Sequence, residues 1–540
     1  MKIKTSPKDI WEEYQSATQY NERYGLYDTV KQNENFFVGK QWEGVDAPDL
    51  DKPVFNILKR VCNMFISQIV SDDITVSLEP FAGAKDEDVM RIIVNEIDRA
   101  MEYSKAKAKN RDMLRNACVD GDGCFYIYFD TSAKTGQTAT GLIDVDVVDN
   151  TNILFGNPYV YDVQRQPYII LLQRRTIDSV RDEARRNGVS EDDISRICPD
   201  NDQSLANEDY DSNLTSVLIK MWKENGEVQC IKTTQNVVIK KAWNTNYTLY
   251  PVAYMSWEKI KNSYHGQSAV TGLIPNQIFV NKCYAMGMDY VKKTAFPKLI
   301  YDKNRFPNGF SNKIGEAIKV EGNVNEAVAS AFKMPDMSAQ VMELVEKTMN
   351  YTKEYMGASD ATLGNIKPDN AAAIVAVQKS TNAPLELQKM AFYQFVEDYI
   401  RIFLDIMRAD YGIREISNKN DEQDNNVPSM FDFSVIGNYT LNLNVNVGAS
   451  AYWSEIMQVQ TADNLFQKGI ITNPITYLES IPDAYIKNKQ KIINEIRQQQ
   501  EQALAAQSAP VNDVSQSNLQ SIPLMNEAEN TQIETGTPTV

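Results

Sequence analysis

His265 is the single histidine among 540 residues, so any Ser-His-Asp or Cys-His relay would have to run through it. It stands beside Gly266 at the entry to a helical pattern, where a lone histidine is more often a polar turn residue than a general base. Three acidic clusters could hold a divalent cation. Asp120-Gly121-Asp122-Gly123 lies between a helical and a strand pattern, Asp144 and Asp146 share one strand face, and Asp200, Asp202, Glu208, Asp209 and Asp211 crowd one loop. Their ordinary readings are a helix-to-strand turn, a solvent face and a solvated loop. The loop also departs from the EF-hand pattern, because Leu205 stands where glycine is needed. No G-x-x-x-x-G-K-S/T stretch occurs, so no phosphate cradle of the P-loop type is expected. Cys62, Cys118, Cys124, Cys198, Cys230 and Cys283 form no CxxC pair and fit free thiols in a reducing compartment. The expectation is no catalytic set, no metal site and no cofactor.

The net charge is −17, and 43% of the residues are hydrophobic. A chain that grips nucleic acid usually presents a basic face, because Lys and Arg displace counterions from phosphate. Tight gripping is therefore not expected. DNA passing nearby is compatible with this charge, since an acidic wall repels phosphate; simple solubility is an equal explanation. No apolar run reaches the ~20 residues of a membrane helix. The best stretch, Tyr399–Met407, is interrupted by Arg401 and Asp405. The opening Met1-Lys2-Ile3-Lys4-Thr5-Ser6-Pro7 lacks the apolar centre of a signal peptide. A soluble protein made inside a cell, with no membrane partner, is expected.

The elements that would position any site begin with a helical Asp9–Asn35, whose Trp11, Tyr14, Tyr20, Tyr24 and Tyr27 form an aromatic side. Helical spacing recurs over Asn56–Val70 and over Asp86–Met101, where Val89, Ile92, Ile93, Ile97 and Ala100 share a face. Lys105, Lys107, Lys109, Arg111 and Arg115 follow on a solvated helix face. The period then changes to two. Cys124–Phe129 and Ile143–Val147 read as a hairpin with a long tip, and Val217–Lys232 reads as a second hairpin turning at Asn225-Gly226. A short helix near Ile177–Asn187 lies between them, followed by a polar loop over Pro199–Asn213.

From Gly266 the pattern is helix, small α/β insertion, helix, loop and broken helix. The first helix spans Ser268–Lys293 and carries Lys282, Lys292 and Lys293, which read equally as solvated surface or as lysines facing DNA. The insertion, Lys298–Pro335, holds the turns Pro307-Asn308-Gly309 and Glu321-Gly322-Asn323. A second helix starts at Met337-Ser338, with Ser338 as cap, and fades at Gly357. Asp360–Asn370 is a polar loop containing Gly364, Asn365 and Lys367. A helix over Ala371–Arg408 follows, kinked at Pro384. Its stripe Phe392, Phe395, Val396, Tyr399, Ile402, Phe403 and Ile406 is a core face or a subunit contact. Beyond lie the strand Tyr439–Val447, helices over Tyr452–Lys468 and Pro474–Gln507, and a tail after Ala509 with no Lys or Arg, expected to be disordered.

Phe36-Phe37-Val38-Gly39-Lys40-Gln41-Trp42, followed by Lys52-Pro53-Val54-Phe55-Asn56, resembles the opening of tailed-bacteriophage portal proteins. Gly266-Gln267-Ser268, Leu273-Ile274-Pro275-Asn276-Gln277 and Asn281 are similar to that family's entry to its stem. The order of elements is similar over Asn33–Gln507. The resemblance implies an α+β, portal-like fold with a wing, a helical stem, a small α/β clip, a kinked wing helix and a short helical crown. It divides the chain into a wing (1–265), stem helix (266–297), clip (298–336), stem helix (337–358), tunnel loop (359–370), kinked wing helix (371–411), C-terminal wing (412–472), crown helix (473–507) and tail (508–540).

The resemblance further implies a non-enzymatic head-to-tail connector in the virion. It would be a homo-oligomeric ring, a dodecamer in most of the family, at the capsid portal vertex, synthesised in a bacterial host's cytoplasm. Double-stranded DNA would pass through it for packaging, retention and ejection. Its partners would be the terminase large subunit, the major capsid protein and a neck or tail adaptor. Asp360, Gly364, Asn365, Lys367 and Asn370 would face the channel from the tunnel loop, and Lys282, Lys292 and Lys293 from the stem. Lys298, Arg305, Phe306 and Phe310 would form the clip interface. A head–tail adaptor of lower order and a metal-dependent DNA-packaging nuclease are the alternatives.

Overall fold

Ser6 opens the first helix and Gly25 ends it. In α1 (Pro7–Tyr24) the Ser6 hydroxyl accepts from the Asp9 N–H at 3.2 Å, and Pro7 sits in the first turn, where its missing N–H is harmless. Gly25 adopts φ 76°, the left-handed region, and its N–H caps the carbonyls of Asn21 and Glu22. The single helix expected over Asp9–Asn35 is therefore two, the second being α2 (Leu26–Val38).

There follow α3 (Ile57–Val70), β1 (Ile74–Pro80), α4 (Glu87–Tyr103), α5 (Ala106–Asp120), β2 (Asp122–Asp130), β3 (Leu142–Val148), β4 (Ile153–Phe155), β5 (Ile169–Thr176), α6 (Ile177–Arg186), α7 (Glu191–Ser195), β6 (Leu214–Glu224), β7 (Glu227–Thr233), β8 (Val238–Asn244) and β9 (Val252–Ser256). The later elements are β10 (Glu258–Lys259), β11 (Gly266–Gln267), α8 (Ile274–Ala295), β12 (Leu299–Tyr301), β13 (Ala329–Ala331), α9 (Ala339–Tyr355), α10 (Glu386–Ile406), β14 (Ile413–Asn418), β15 (Val427–Asp432), β16 (Leu441–Val447) and α11 (Pro474–Glu479). This computed structural model describes residues 3–70, 74–80, 87–137, 139–200, 213–295, 299–301, 304, 329–331, 339–355, 385–418, 427–438, 441–447, 459–481, 486, 489 and 492–497. Among them no helix is long and apolar enough to cross a membrane.

The chain mixes helix and sheet, as an α+β protein does. One antiparallel sheet has the order β3-β2-β9 and another the order β4-β5-β6-β7-β8. Both expected hairpins form. In β6–β7 the turn residues Asn225 and Gly226 have φ 53° and 87°, the positive pair that a type I′ turn demands. On one face of the five-stranded sheet, Ile170, Leu172, Leu218, Trp222 and Ile231 pack on Ile10 and Tyr14 of α1. Lys220 lies in the same layer at 1% exposure, and its ammonium donates to the Lys4 carbonyl (2.9 Å) and to Glu13 Oε2 (2.5 Å). The other face joins the main core through Ile169, Leu171, Ile219 and Met221.

That core is organised by α10. Phe392, Phe395, Val396, Tyr399, Ile402, Phe403 and Ile406 are all buried, and the Phe395 ring meets Phe125 of β2 edge to face at 4.9 Å. The stripe is thus core within one chain, which settles the choice against a subunit contact. Asp405 pins the end of α10 to the loop before β9. It accepts from the N–H groups of Thr248 (2.6 Å) and Leu249 (2.9 Å), from the Thr248 hydroxyl and from Arg408. The expected strand near Val447 pairs antiparallel with β1, from the far end of the sequence, in the register Ile74↔Val447 to Pro80↔Leu441.

Helices α8 and α9 pack antiparallel, with Asn276 donating to Thr352 (3.3 Å) and Tyr284 touching Met349. Next to α8, β12 and β13 pair antiparallel at the base of the expected insertion. Helix α8 begins at Ile274 rather than Ser268, with Pro275 in its first turn. Pro384 and its kink, the loop Asp360–Asn370 and the insertion residues Lys298, Arg305, Phe306 and Phe310 lie outside the described residues.

The chain clusters into two compact units, Met1–Tyr452 and Trp453–Val540, so the boundary falls inside the segment 412–472. In the second unit Asn473 caps α11 by accepting from the Ile475 N–H (3.0 Å), and Phe466 packs on Tyr477. One continuous helix over Pro474–Gln507 is not what forms: α11 stops at Glu479, and helix is present again at 489 and at 492–497. Pro482 explains the break, since it lacks an N–H and disfavours helix in the residue before it.

Replacing Asp405 by alanine removes the acceptor shared by two part-buried N–H groups, those of Thr248 and Leu249, and by the Arg408 guanidinium. Asp405→Ala should lower unfolding free energy by about 2–3 kcal/mol in urea denaturation. A change below about 0.5 kcal/mol would show that water replaces the carboxylate at no cost.

Candidate functional site

Asp122 begins β2 directly after Gly121, which ends α5 with φ 102°. A Cβ on Gly121 would lie 2.6 Å from the Gly266 carbonyl oxygen, and one on Gly266 would lie 2.9 Å from the Gly121 carbonyl oxygen. Only glycine at both positions lets the two backbones touch. This contact brings the residues just before α8 onto Asp122. The carboxylate is fully buried. Its Oδ1 accepts from the Gly266 N–H (2.8 Å) and the Ser256 hydroxyl (2.8 Å). Its Oδ2 faces His265 Nδ1 (3.0 Å) and the Asn150 amide (3.5 Å). His265 Nε2 in turn lies 3.0 Å from Asn21 Oδ1 on α1, and the imidazole packs on Tyr264 with centroids 3.9 Å apart.

Ser, His and Asp thus meet, but in an order that cannot relay a proton. The carboxylate stands between Ser256 and His265 and bonds each separately, the hydroxyl is not presented to the imidazole, and none of the three exceeds 2% exposure. Both Asp122 oxygens are taken by protein donors, so this carboxylate presents no open oxygen to a cation. Asp144 is held by Lys109 (2.8 Å), and Asp200 is paired with Arg174. Asp202, Glu208, Asp209 and Asp211 lie outside the described residues. Among the described residues no group of three His, Cys, Asp or Glu is placed to hold a metal.

A second polar network continues along α8. Ser268 accepts from the N–H groups of Val270 (3.1 Å) and Thr271 (3.0 Å), shaping the turn before the helix. The buried Asn33 amide of α2 reaches the Val119 carbonyl (2.8 Å), Ser268 (3.1 Å) and Thr271 (2.9 Å). Residues 39–56 then lie along α8 as a strap. Gln277 accepts from the Ile57 N–H (3.1 Å) and donates to the Phe55 carbonyl (2.7 Å). Asn281 donates to Gln41 Oε1 (2.6 Å), and Gln41 donates to the Phe36 carbonyl (2.9 Å). Asn56 donates to the carbonyls of Phe36 (3.1 Å) and Phe37 (2.9 Å). Further along, the Phe55 ring sits 4.1 Å from Tyr284, and Asp51 pairs with Lys292 at 2.5 Å. Trp42 closes the strap on itself by donating to the Pro53 carbonyl (2.8 Å).

The residues that carry the portal resemblance are therefore brought together in space. Their role is to bond α8 to the N-terminal strap. Gln277 and Asn281 stand four residues apart on a helix with buried apolar neighbours, Ile274 and Val280, and that placement was the available signal for buried partners. Asp122 and Asn33 carried no such signal, because their partners are remote in sequence. Of the lysines expected on a stem, all three are exposed; Lys292 and Lys293 are each paired, with Asp51 and Asp289 (2.7 Å), while Lys282 has no ion pair among the described residues.

Burial pushes the Asp120 carboxyl up to about 8, opposed by Arg115 and reinforced by Glu34, Asp149 and Asp122. The unfolded chain loses this proton near pH 3.9. Between the two values the native state holds a proton that the unfolded state lacks, so the stability from this group is full below about pH 4 and lost as pH rises toward about 8. Asp120→Asn imitates the protonated form. Urea denaturation should find the variant more stable than the parent at pH 8 and closest to it at pH 4. A stability difference independent of pH would rule out this account.

A search of the curated proteins finds no match for this chain. Residues 168–413, from the start of β5 to the start of β14, match the family model described as phage P22-like portal protein, and this match supports a tailed-bacteriophage portal protein.

Proposed function

We propose that this chain assembles into a ring-shaped channel of twelve subunits at one vertex of a phage capsid, through which double-stranded DNA is packaged, retained and ejected. The observation that carries this reading is the family match over residues 168–413, which takes in most of the five-stranded sheet together with α8, α9 and α10. The strap and the Asp122 network support it mechanically, since a channel wall under load needs its helices bonded firmly to the body. In this reading the chain does no bond chemistry. Residues 1–265 are the wing, α8 and α9 the stem, and 298–336 the clip. Lys298, Arg305, Phe306 and Phe310 of the clip dock the terminase large subunit and later the neck or tail adaptor, while the major capsid protein surrounds the ring.

The net charge of −17 suits a conduit that must not hold DNA fast. The tunnel loop 359–370 supplies weak contacts instead. Lys367 meets phosphate, and Asn365 and Asn370 hydrogen-bond without fixed charge; such contacts reach the backbone and ignore base sequence. Lys292 and Lys293 add to the stem lining with charge moderated by their paired carboxylates.

Electron microscopy and native mass measurement of the purified chain should show closed rings with a central channel. A monomer at high concentration, with no rings, would end the portal reading and favour an adaptor of lower order. Deleting Gly364–Lys367 should leave rings and capsid assembly intact while reducing packaged DNA; normal DNA content and infectivity in that deletion would remove the tunnel-loop role.

A further inference from the structure

The strap leaves α8 with two unlike exposed sides. Phe279, Lys282 and Met286 are spaced three and four residues apart and so line up along one side. Phe279 is 37% exposed and Met286 57%. Lys282, between them, is exposed and has no ion pair or hydrogen bond among the described residues. The strap covers the opposite side, the one carrying Gln277, Asn281, Tyr284 and Lys292. Its outer surface presents Glu43, Val45, Asp46, Asp49, Val54 and Phe55. Glu43, Asp46 and Asp49 have no ion pair among the described residues, whereas Asp51 is already held by Lys292. Among the described residues, one side therefore combines apolar groups with an unpaired cation, and the other combines apolar groups with three unpaired carboxylates that outnumber the exposed Lys40 and Lys52.

We propose that these two sides are the halves of one contact between copies of this chain, in which Phe279, Lys282 and Met286 of one copy seat on the strap of the next. Charge complementarity selects this occupant. The strap's free carboxylates outnumber Lys40 and Lys52 and offer a nucleic acid backbone no net attraction, while Phe279 and Met286 flanking Lys282 would gain nothing from phosphate but would leave water against Val45, Val54 and Phe55. The halves lie on opposite sides of a single helix, so they cannot meet within one chain. They meet only head to tail, the arrangement that closes into a ring. The inference rests on the ring reading above, names the surfaces that touch, and assigns Lys282 to the subunit seam rather than to the channel.

The test uses the intact full-length protein. Zero-length carbodiimide coupling joins lysine to carboxylate only where they are in contact, and the covalent dimers are then mapped by mass spectrometry, with electron microscopy scoring rings in parallel. The expected result is dimers joined from Lys282 to Glu43, Asp46 or Asp49. Lys282→Glu should abolish both these dimers and the rings, and adding Glu43→Lys with Asp46→Lys should restore the rings. Rings from the parent chain whose dimers join elsewhere, or a Lys282→Glu protein that assembles as the parent does, would overturn the seam while leaving the ring reading standing. Absence of rings from the parent chain would overturn both.

Discussion

A carboxylate cut off from water must find its hydrogen-bond donors inside the protein, and Asp122 finds them on segments far apart in sequence. Gly266 and His265 come from the approach to α8, Ser256 from β9 and Asn150 from the turn before β4. Taking one partner from a buried charge leaves a desolvated group uncompensated, at a cost of roughly 3–5 kcal/mol, so these segments hold one another in place. The start of α8 is consequently placed to within a hydrogen-bond length relative to the two sheets. The paired glycines 121 and 266 are the steric condition for this, since a side chain at either would separate the backbones.

The strap extends the same logic along α8 with neutral groups. Amide side chains suit the task because each offers a donor and an acceptor in one plane. Gln277 can therefore satisfy the Ile57 N–H and the Phe55 carbonyl together, as a strand neighbour would. No charged pair is used until Asp51 and Lys292, where the helix end is exposed. The result is a helix held on one side by hydrogen bonds, packed on a second by α9, and open on a third.

A different solution holds the N-terminal helix. Lys220 is buried in a sheet strand, where its ammonium would be costly alone, and α1 supplies both a carboxylate and, just upstream, a carbonyl. Helix α1 is thus a structural part of the five-stranded sheet layer, linked through Asn21 to His265. The single histidine, the feature most suggestive of chemistry, ends up as a packing element among tyrosines.

Local pattern alone determined a good deal of this molecule. The i, i+4 stripe of α10 and the alternation of β16 announce which face is buried, because helix and strand periods are properties of the chain itself. Asn225-Gly226 specifies its turn, because two positive φ angles are cheap for few other pairs. Gly25 and Pro482 carried their breaks just as locally, though each stands inside a span read as one helix. The tertiary structure decided the rest. Whether the α10 stripe is core or contact, that β1 pairs with β16, and that Asp122, His265 and Ser256 lock rather than react all depend on which distant segment supplies the facing atom. A hydrogen bond constrains position to tenths of an ångström, and residue types in a sequence carry no record of which distant partner they will meet.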